Sequence, residues 1–212
     1  MHLLNIQDGE ISDGAEPVDL AQDPGDLVVI SAADTDLSGL EAACGELGDE
    51  FPSLRLANLM TLQHNFSVDL YVQKVISHAR FVCVRVLGGK TYWPYGVSEI
   101  VQACRKNGAK LAMIPGDSKP DFDLEGLSNI ADADRQQLWD YLQEGGRSNL
   151  RSFLRHAAWL IGQADSPAPP AVPLPNVGLY WPNGAPDSLE ELKCSWKADR
   201  PVALIIFYRA FY

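Results

Sequence analysis

Paired cysteines, clustered bases and long apolar runs are all missing from this chain, and each absence removes a class of protein. The four cysteines stand at positions 44, 83, 104 and 194. None forms a CxxC pair, so a zinc ribbon or thiol–disulfide centre lacks its sequence-local ligands. Three of them sit among apolar residues, as buried free thiols of a reducing compartment do. Only 17 Lys and Arg stand against 28 Asp and Glu, for a net charge of −11 and a pI near 4.7. The densest basic runs are Arg105-Lys106 and Arg147 to Arg155. They are too sparse to neutralise a phosphate backbone, which excludes nucleic acid as a partner. The longest apolar runs, such as Val202 to Tyr208, are far shorter than a bilayer requires. The amino terminus, MHLLNIQDGEISDG, has neither the basic nor the apolar stretch of a signal peptide. A soluble, cytoplasmic protein with no membrane contact is expected.

Catalytic signatures are equally scarce. The histidines stand at 2, 64, 78 and 156, on different elements, and no HxxxH or Cys/His cluster occurs. No metal site is expected from sequence-local ligands. His64, in QHNF, reads as a surface or capping residue. GxSxG is absent, as are GxGxxG and GxxxxGK[ST], so neither a nucleophile elbow nor a phosphate loop is present. Glu190-Glu191 reads as a solvated helix face. No residue is assigned as catalytic.

What is present is a core and a pattern. Hydrophobic residues make up 46% of 212. Residues 2–6 read as a short strand and 8–26 as an acidic loop. LVVISAA, 27–33, is a continuous apolar run, as in strands buried on both faces of a parallel sheet. Asp34 or Asp36 is placed to cap the next helix, LSGLEAACGEL. SLRLANL, 53–59, alternates as a strand does. Ser67 is the expected cap of a helix whose Val68, Tyr71, Val72, Val75, Ile76 and Ala79 form one apolar stripe. RFVCVRVLGG, 80–89, is the next strand. Val97, Ile100, Val101 and Cys104 mark a helix over 97–107, stopped by Asn107-Gly108. KLAMIPGD, 110–117, is the fourth strand. Strand and helix alternating with short connections predict an α/β fold: a doubly wound, mostly parallel sheet with flanking helices.

The character changes after residue 117. Residues 118–163 carry helical patterns broken by Gly145-Gly146. The last helix shows Leu150, Phe153, Leu154, Ala157, Ala158 and Ile161 on one face, with Ser148 as its expected cap. ADSPAPPAVPLP, 164–175, holds five prolines in twelve residues, the composition of a stiff linker or a strapped-down extended segment. The expected organisation is a head domain over 1–163, a linker over 164–175 and the start of a second α/β unit over 176–212. PVALIIFYRAFY, 201–212, reads as a buried strand. Ending on it without a crossover helix, the chain reads as the front of a longer protein. The alternative is a strand that closes the edge of the existing sheet. An unpaired end strand would also let two copies pair, so a homodimer is expected.

One stretch stands out. In GGKTYWPYG, 88–96, a strand hands over to a helix through two glycines and three aromatics. Ligands of open α/β sheets bind beyond the carboxyl ends of strands, near the switch in strand order. Glycines there admit a close approach, and aromatics offer flat apolar surface. Pro115-Gly116-Asp117 and the residues Ser31 to Asp34 end strands at the same edge. Gly88, Gly89, Tyr92, Trp93, Tyr95, Arg85, Lys90 and Asp117 are therefore the candidate substrate-binding or domain-contact residues. The alternative is a tight glycine turn with the rings plugging the sheet edge, and Asp117 capping a turn.

The runs SLRLANL, FSVDLYV, LGGKTYWPYG and IPGD, in that order, with the later LYWPNG and PVALIIFYRAFY, resemble the N-terminal region of the aerobic cobaltochelatase large subunit. The likeness covers nearly the whole chain. It is similar, more distantly, to the large subunit of magnesium chelatase. The resemblance implies a tetrapyrrole-binding subunit of cytoplasmic cobalamin biosynthesis, a ligase forming a nitrogen–metal bond. Its expected substrate is hydrogenobyrinic acid a,c-diamide, the corrinoid precursor, into which Co²⁺ is inserted with ATP hydrolysis. The implied partners are the remaining domains of the large subunit, an AAA+ ATPase and a second small chelatase subunit. Cobalt and ATP are used by the whole complex, and no cofactor is expected on this segment, whose role would be scaffolding or substrate-proximal. The substrate's carboxylates would favour Arg85 or Lys90.

The strand–helix pattern by itself also fits a non-catalytic ligand-binding or protein-interaction module. A B12-binding module would carry a DxHxxG-type loop, which is absent. A phosphate receiver would carry an acidic pocket and a following Lys, which Asp34 and Lys119 match only loosely. A small hydrolase would need a nucleophile motif.

Overall fold

A computed structural model of the chain describes residues 16–174, 177–179, 188–197, 199–203 and 205–207. Four strands, β1 (Leu27–Ser31), β2 (Leu54–Asn58), β3 (Phe81–Val86) and β4 (Lys110–Pro115), form one parallel sheet in the order β2-β1-β3-β4. The order reverses between β1 and β3, the mark of a doubly wound sheet. The strand expected over 2–6 lies outside the described residues.

Alternation along the strands divides the core in two. Val28, Ile30, Val82, Val84, Leu111 and Met113 face one side, under α2 (Asn65–Lys74) and α3 (Pro94–Asn107). Leu27, Val29, Phe81, Cys83, Ala112 and Ile114 face the other. There they meet α1 (Asp34–Gly45), α5 (Asp132–Glu144) and α6 (Gly146–Leu160). A short α4 (Phe122–Glu125) lies between β4 and α5. Both faces being covered, β1, β3 and β4 read as near-continuous apolar runs, while β2, at the edge of the sheet, alternates.

Three expected caps are corrected. Ala33 precedes α1 without a side-chain bond, and Asp36 turns inward instead. His64 caps α2, its Nδ1 accepting the Phe66 N–H, while Ser67 is buried and its Oγ accepts the Val18 N–H at 2.7 Å. Gly145, at φ +67°, precedes α6, and Ser148 is not the cap. In each case tertiary contact claimed the polar side chain, or the backbone turn needed a glycine. Gly108 does end α3, left-handed at φ +77°.

Both edges of the sheet are occupied. At β2, Gln22 Nε2 donates to the Leu56 carbonyl, and Arg55 holds the carbonyls of Asp23 and Pro24. At β4, the Asn129 side chain takes the Leu111 N–H and donates to the Ala109 carbonyl, while Ser128 Oγ takes the Met113 N–H. Residues 167–174 are strapped to α5 and α6 rather than free. After α7 (Leu189–Cys194), residues 201–203 and 205–207 have no strand structure, and Ile205 and Ile206 are 79% and 86% exposed. The strand expected over 201–212 is absent from those six residues; 204 and 208–212 lie outside the described residues.

Candidate functional site

The carboxyl ends of β1 and β3 frame the point where strand order reverses. A charged network fills it. Arg85, at the end of β3, donates through Nη1 to both carboxylate oxygens of Asp36 at 2.8 and 2.7 Å, and through Nη2 to the Gly116 carbonyl at 3.1 Å. Ser31 Oγ, ending β1, donates to Asp36 at 2.7 Å and accepts the Ala33 N–H. Both charged side chains are nearly enclosed. This pair ties α1, β1, β3 and the turn after β4 together. Arg85 is therefore committed to an internal carboxylate. Asp34 is engaged as well, accepting from Asn58 Nδ2 at 2.7 Å.

The loop 88–96 divides by residue. Gly88 and Gly89 stand at φ +86° and +72°, and the Tyr92 N–H closes the turn on the Gly89 carbonyl. Only glycine tolerates that backbone without strain. Trp93 is 3% exposed, and its indole N–H donates to the Leu62 carbonyl at 3.0 Å. It lies over Gly96, where an added Cβ would sit 2.0 Å from the indole. Trp93 is thus core, plugging the sheet edge, and is not offered to a partner. Tyr95 donates to Asp69 at 2.6 Å, and that bond pushes its phenol up to about 12. Tyr92 is half-exposed, with its hydroxyl 3.6 Å from Met60 Sδ. Lys90 is exposed.

Gly88, Gly89 and Asp117 do come together, on an open cleft of about 380 Å³ between the ends of β3 and β4 and the approach to α4. Asp117 accepts the Lys119 N–H and Asp121 caps α4 through the Leu124 N–H. Phe122, also on the cleft, is 82% exposed. Met60, Leu87 and Tyr92 are exposed at the carboxyl edge too. Asp36, Asp121, Phe122 and Met60 were not singled out by motif. A usable signal existed for Asp36: an arginine inside an apolar strand demands a buried counter-charge.

Chemistry at the site is limited. Burial pushes the Cys104 thiol up to about 12 and raises Cys83 and Cys44 as well, which opposes thiolate nucleophiles. Among the described residues, no three His, Cys, Asp or Glu side chains gather as a metal site, and no helix is long and apolar enough to cross a membrane.

Comparison with known proteins gives the lineage. In an alignment of 218 positions that covers 99% of this chain, the sequence is 42% identical to the aerobic cobaltochelatase subunit CobN of a Sinorhizobium species. It is 40% identical over 210 residues to the same subunit of Pseudomonas aeruginosa. Over nearly its whole length the chain is similar to part of CobN. It spans 17% of the length of each of these CobN relatives. Among solved structures, the catalytic subunit of cobaltochelatase from Mycobacterium tuberculosis superposes with a TM-score of 0.55 over 76% of this chain and 12% of that one. At 24% identity that likeness is one of fold. No family model matches the chain.

Proposed function

We propose that this chain is a scaffolding and docking head of a cobaltochelatase large subunit. The subunit would bind hydrogenobyrinic acid a,c-diamide while Co²⁺ is inserted at the expense of ATP, in the cytoplasm. Insertion requires a ring held still while its nitrogens lose protons and the ion loses water, so the protein's work is positioning and electrostatics. The head's share is to present the edge formed by Gly88, Gly89, Lys90, Tyr92 and Asp117. The rest of the large subunit packs there, with the AAA+ ATPase and the second small subunit as further partners. Cobalt and ATP belong to the whole complex.

The observation that carries the scaffold reading is the Arg85–Asp36 pair: the crevice where doubly wound sheets hold ligands is filled by the protein's own charges. A second reading, direct corrinoid contact at the cleft rim, rests on the exposed rings of Tyr92 and Phe122.

The two separate by titration with hydrogenobyrinic acid a,c-diamide, followed by corrin absorbance, of this chain and of a complete large subunit carrying it. Saturable binding to the complete subunit and none to the chain, with affinity unaffected by Tyr92→Ala, is the expected result. Saturable micromolar binding to the chain alone, weakened by Tyr92→Ala, would replace the scaffold reading with the second.

A further inference from the structure

The proline-rich segment that composition marks as a linker is held like a peptide ligand. Gln137 Nε2 donates to the Ala168 carbonyl at 2.8 Å and the Tyr141 hydroxyl donates to the Pro169 carbonyl. The Asn149 side-chain amide takes the Val172 N–H and gives back to the Val172 carbonyl, both at 2.8 Å. The Leu174 N–H goes to Glu144 Oε2 at 3.0 Å.

The polarity of these bonds matches the sequence. Prolines present carbonyls and no N–H. Where the segment is proline-bound, at Ala168-Pro169, the helices supply donors only. At Val172 and Leu174, two of the segment's non-proline residues, they also supply acceptors for the N–H. Burial has a matching period. Ala168 is buried and Ala171 is half-buried, both against the α5–α6 core. Leu174, half-buried, lies over Gly146, where an added Cβ would come within 2.9 Å of its Cδ1. Pro169, Pro170, Val172 and Pro173 are exposed. A spacing of three between inward residues is that of a polyproline II helix, which carries no internal hydrogen bonds and so depends on its host for them.

We propose that the groove between α5 and α6 is a recognition site for an extended, proline-rich peptide, and that residues 167–174 occupy it in cis. The groove reads the backbone through Asn149, Gln137 and Tyr141, and reads side chains only as small or apolar at every third position. The chain leaving residue 174 is thereby delivered at a fixed point beside the start of α6. This inference stands independently of the cobaltochelatase reading.

The test uses the intact chain and substitutions at an exposed side chain, so that the head stays folded. Val172→Pro removes the N–H that Asn149 accepts; Val172→Ala keeps it. Val172→Pro is expected to speed exchange of the Leu174 amide about tenfold, the effect of one lost hydrogen bond. Amides inside β3 should be unchanged, and Val172→Ala should behave as wild type. A peptide of sequence SPAPPAVPLP (residues 166–175), added at the millimolar level a short tether supplies, should shift the Asn149 side-chain amide resonance in Val172→Pro and leave the filled wild-type groove alone. Equal exchange in wild type and Val172→Pro, or equal acceleration by Val172→Ala, would overturn backbone reading. A peptide that leaves the Asn149 resonance of the proline variant in place would overturn the recognition site.

Discussion

The charged pair at the switch point behaves unlike a surface ion pair. Asp36 receives Arg85 through two hydrogen bonds and Ser31 through a third, and both charged side chains are about nine-tenths buried. Removing one partner leaves the other charge buried and uncompensated, at a cost of about 3–5 kcal/mol. Asp36→Ala is expected to lower unfolding stability by that much in urea titrations. Asp36→Leu combined with Arg85→Met should cost clearly less, because no charge is stranded. A loss under about 1 kcal/mol for Asp36→Ala, the size of an exposed pair, would mean that water reaches Arg85. His156 gives a pH signature. It is 1% exposed, its Nε2–H donates to the Asp134 carboxylate at 3.1 Å, and its buried Nδ1 has no hydrogen-bond partner. Burial holds its pKa below the ordinary 6.5, outweighing the attraction of Asp134. Between the folded and unfolded pKa values the unfolded chain therefore binds a proton that the folded chain does not. Its contribution is complete above about pH 6.5 and drains away as pH falls toward the depressed folded value. Urea midpoints at pH 7.5 and 5.5 should separate more for wild type than for His156→Gln; equal separations would contradict a neutral buried His156.

At the scale of elements, the entry to α3 is an interlock. Trp93 lies flat over Gly96 and hydrogen-bonds to Leu62, so the loop after β3, the helix and the turn after β2 meet at one indole. Gly96→Ala forces a methyl into the ring and is expected to cost about 1–3 kcal/mol of stability. Trp93→Ala should cost about 3–5 kcal/mol. Both are checked by urea denaturation, with far-UV circular dichroism used to confirm that the helices remain. A neutral Gly96→Ala would show that the indole has room to move. Most elements were legible. The run 27–33 announced a strand by continuous apolarity, 80–89 by apolarity broken at Arg85, and Asn107-Gly108 announced a helix end. The N-cap was legible for His64, read as a surface or capping residue, but not at Ser67 and Asp36, polar residues recruited by distant partners, Val18 and Arg85, which no local pattern displays. The candidate site was half legible. Position at the carboxyl edge followed from the strand–helix rhythm, but which rings faced outward did not. Tyr92 and Trp93 are adjacent in sequence and opposite in fate, since one backbone turn decides which ring enters the core.

At the scale of the molecule, the sheet offers no free edge: Gln22 and Arg55 cover β2, and Ser128 and Asn129 cover β4. Among the described residues, Val202, Ile205 and Ile206 offer one exposed apolar group for self-association. Light scattering of the chain is expected to show a dimer that reverts to monomer in Ile205→Ser/Ile206→Ser. A dimer that survives the double substitution would place the interface elsewhere, and a monomeric wild type would end the expectation of self-pairing. Sequence alone determined the α/β class, the order of elements and the side of the sheet where loops gather, because apolar periodicity and glycine turns are local consequences of backbone geometry. It also determined the CobN likeness, carried by runs of residues in order. Tertiary structure decided what those residues are for. It turned Arg85 from a candidate ligand contact into half of an internal ion pair, drew Trp93 into the core, and bound a proline-rich linker to α5 and α6. Each of these outcomes depends on a partner more than ten residues away in the chain, and pairings at that range are set only when the layers pack.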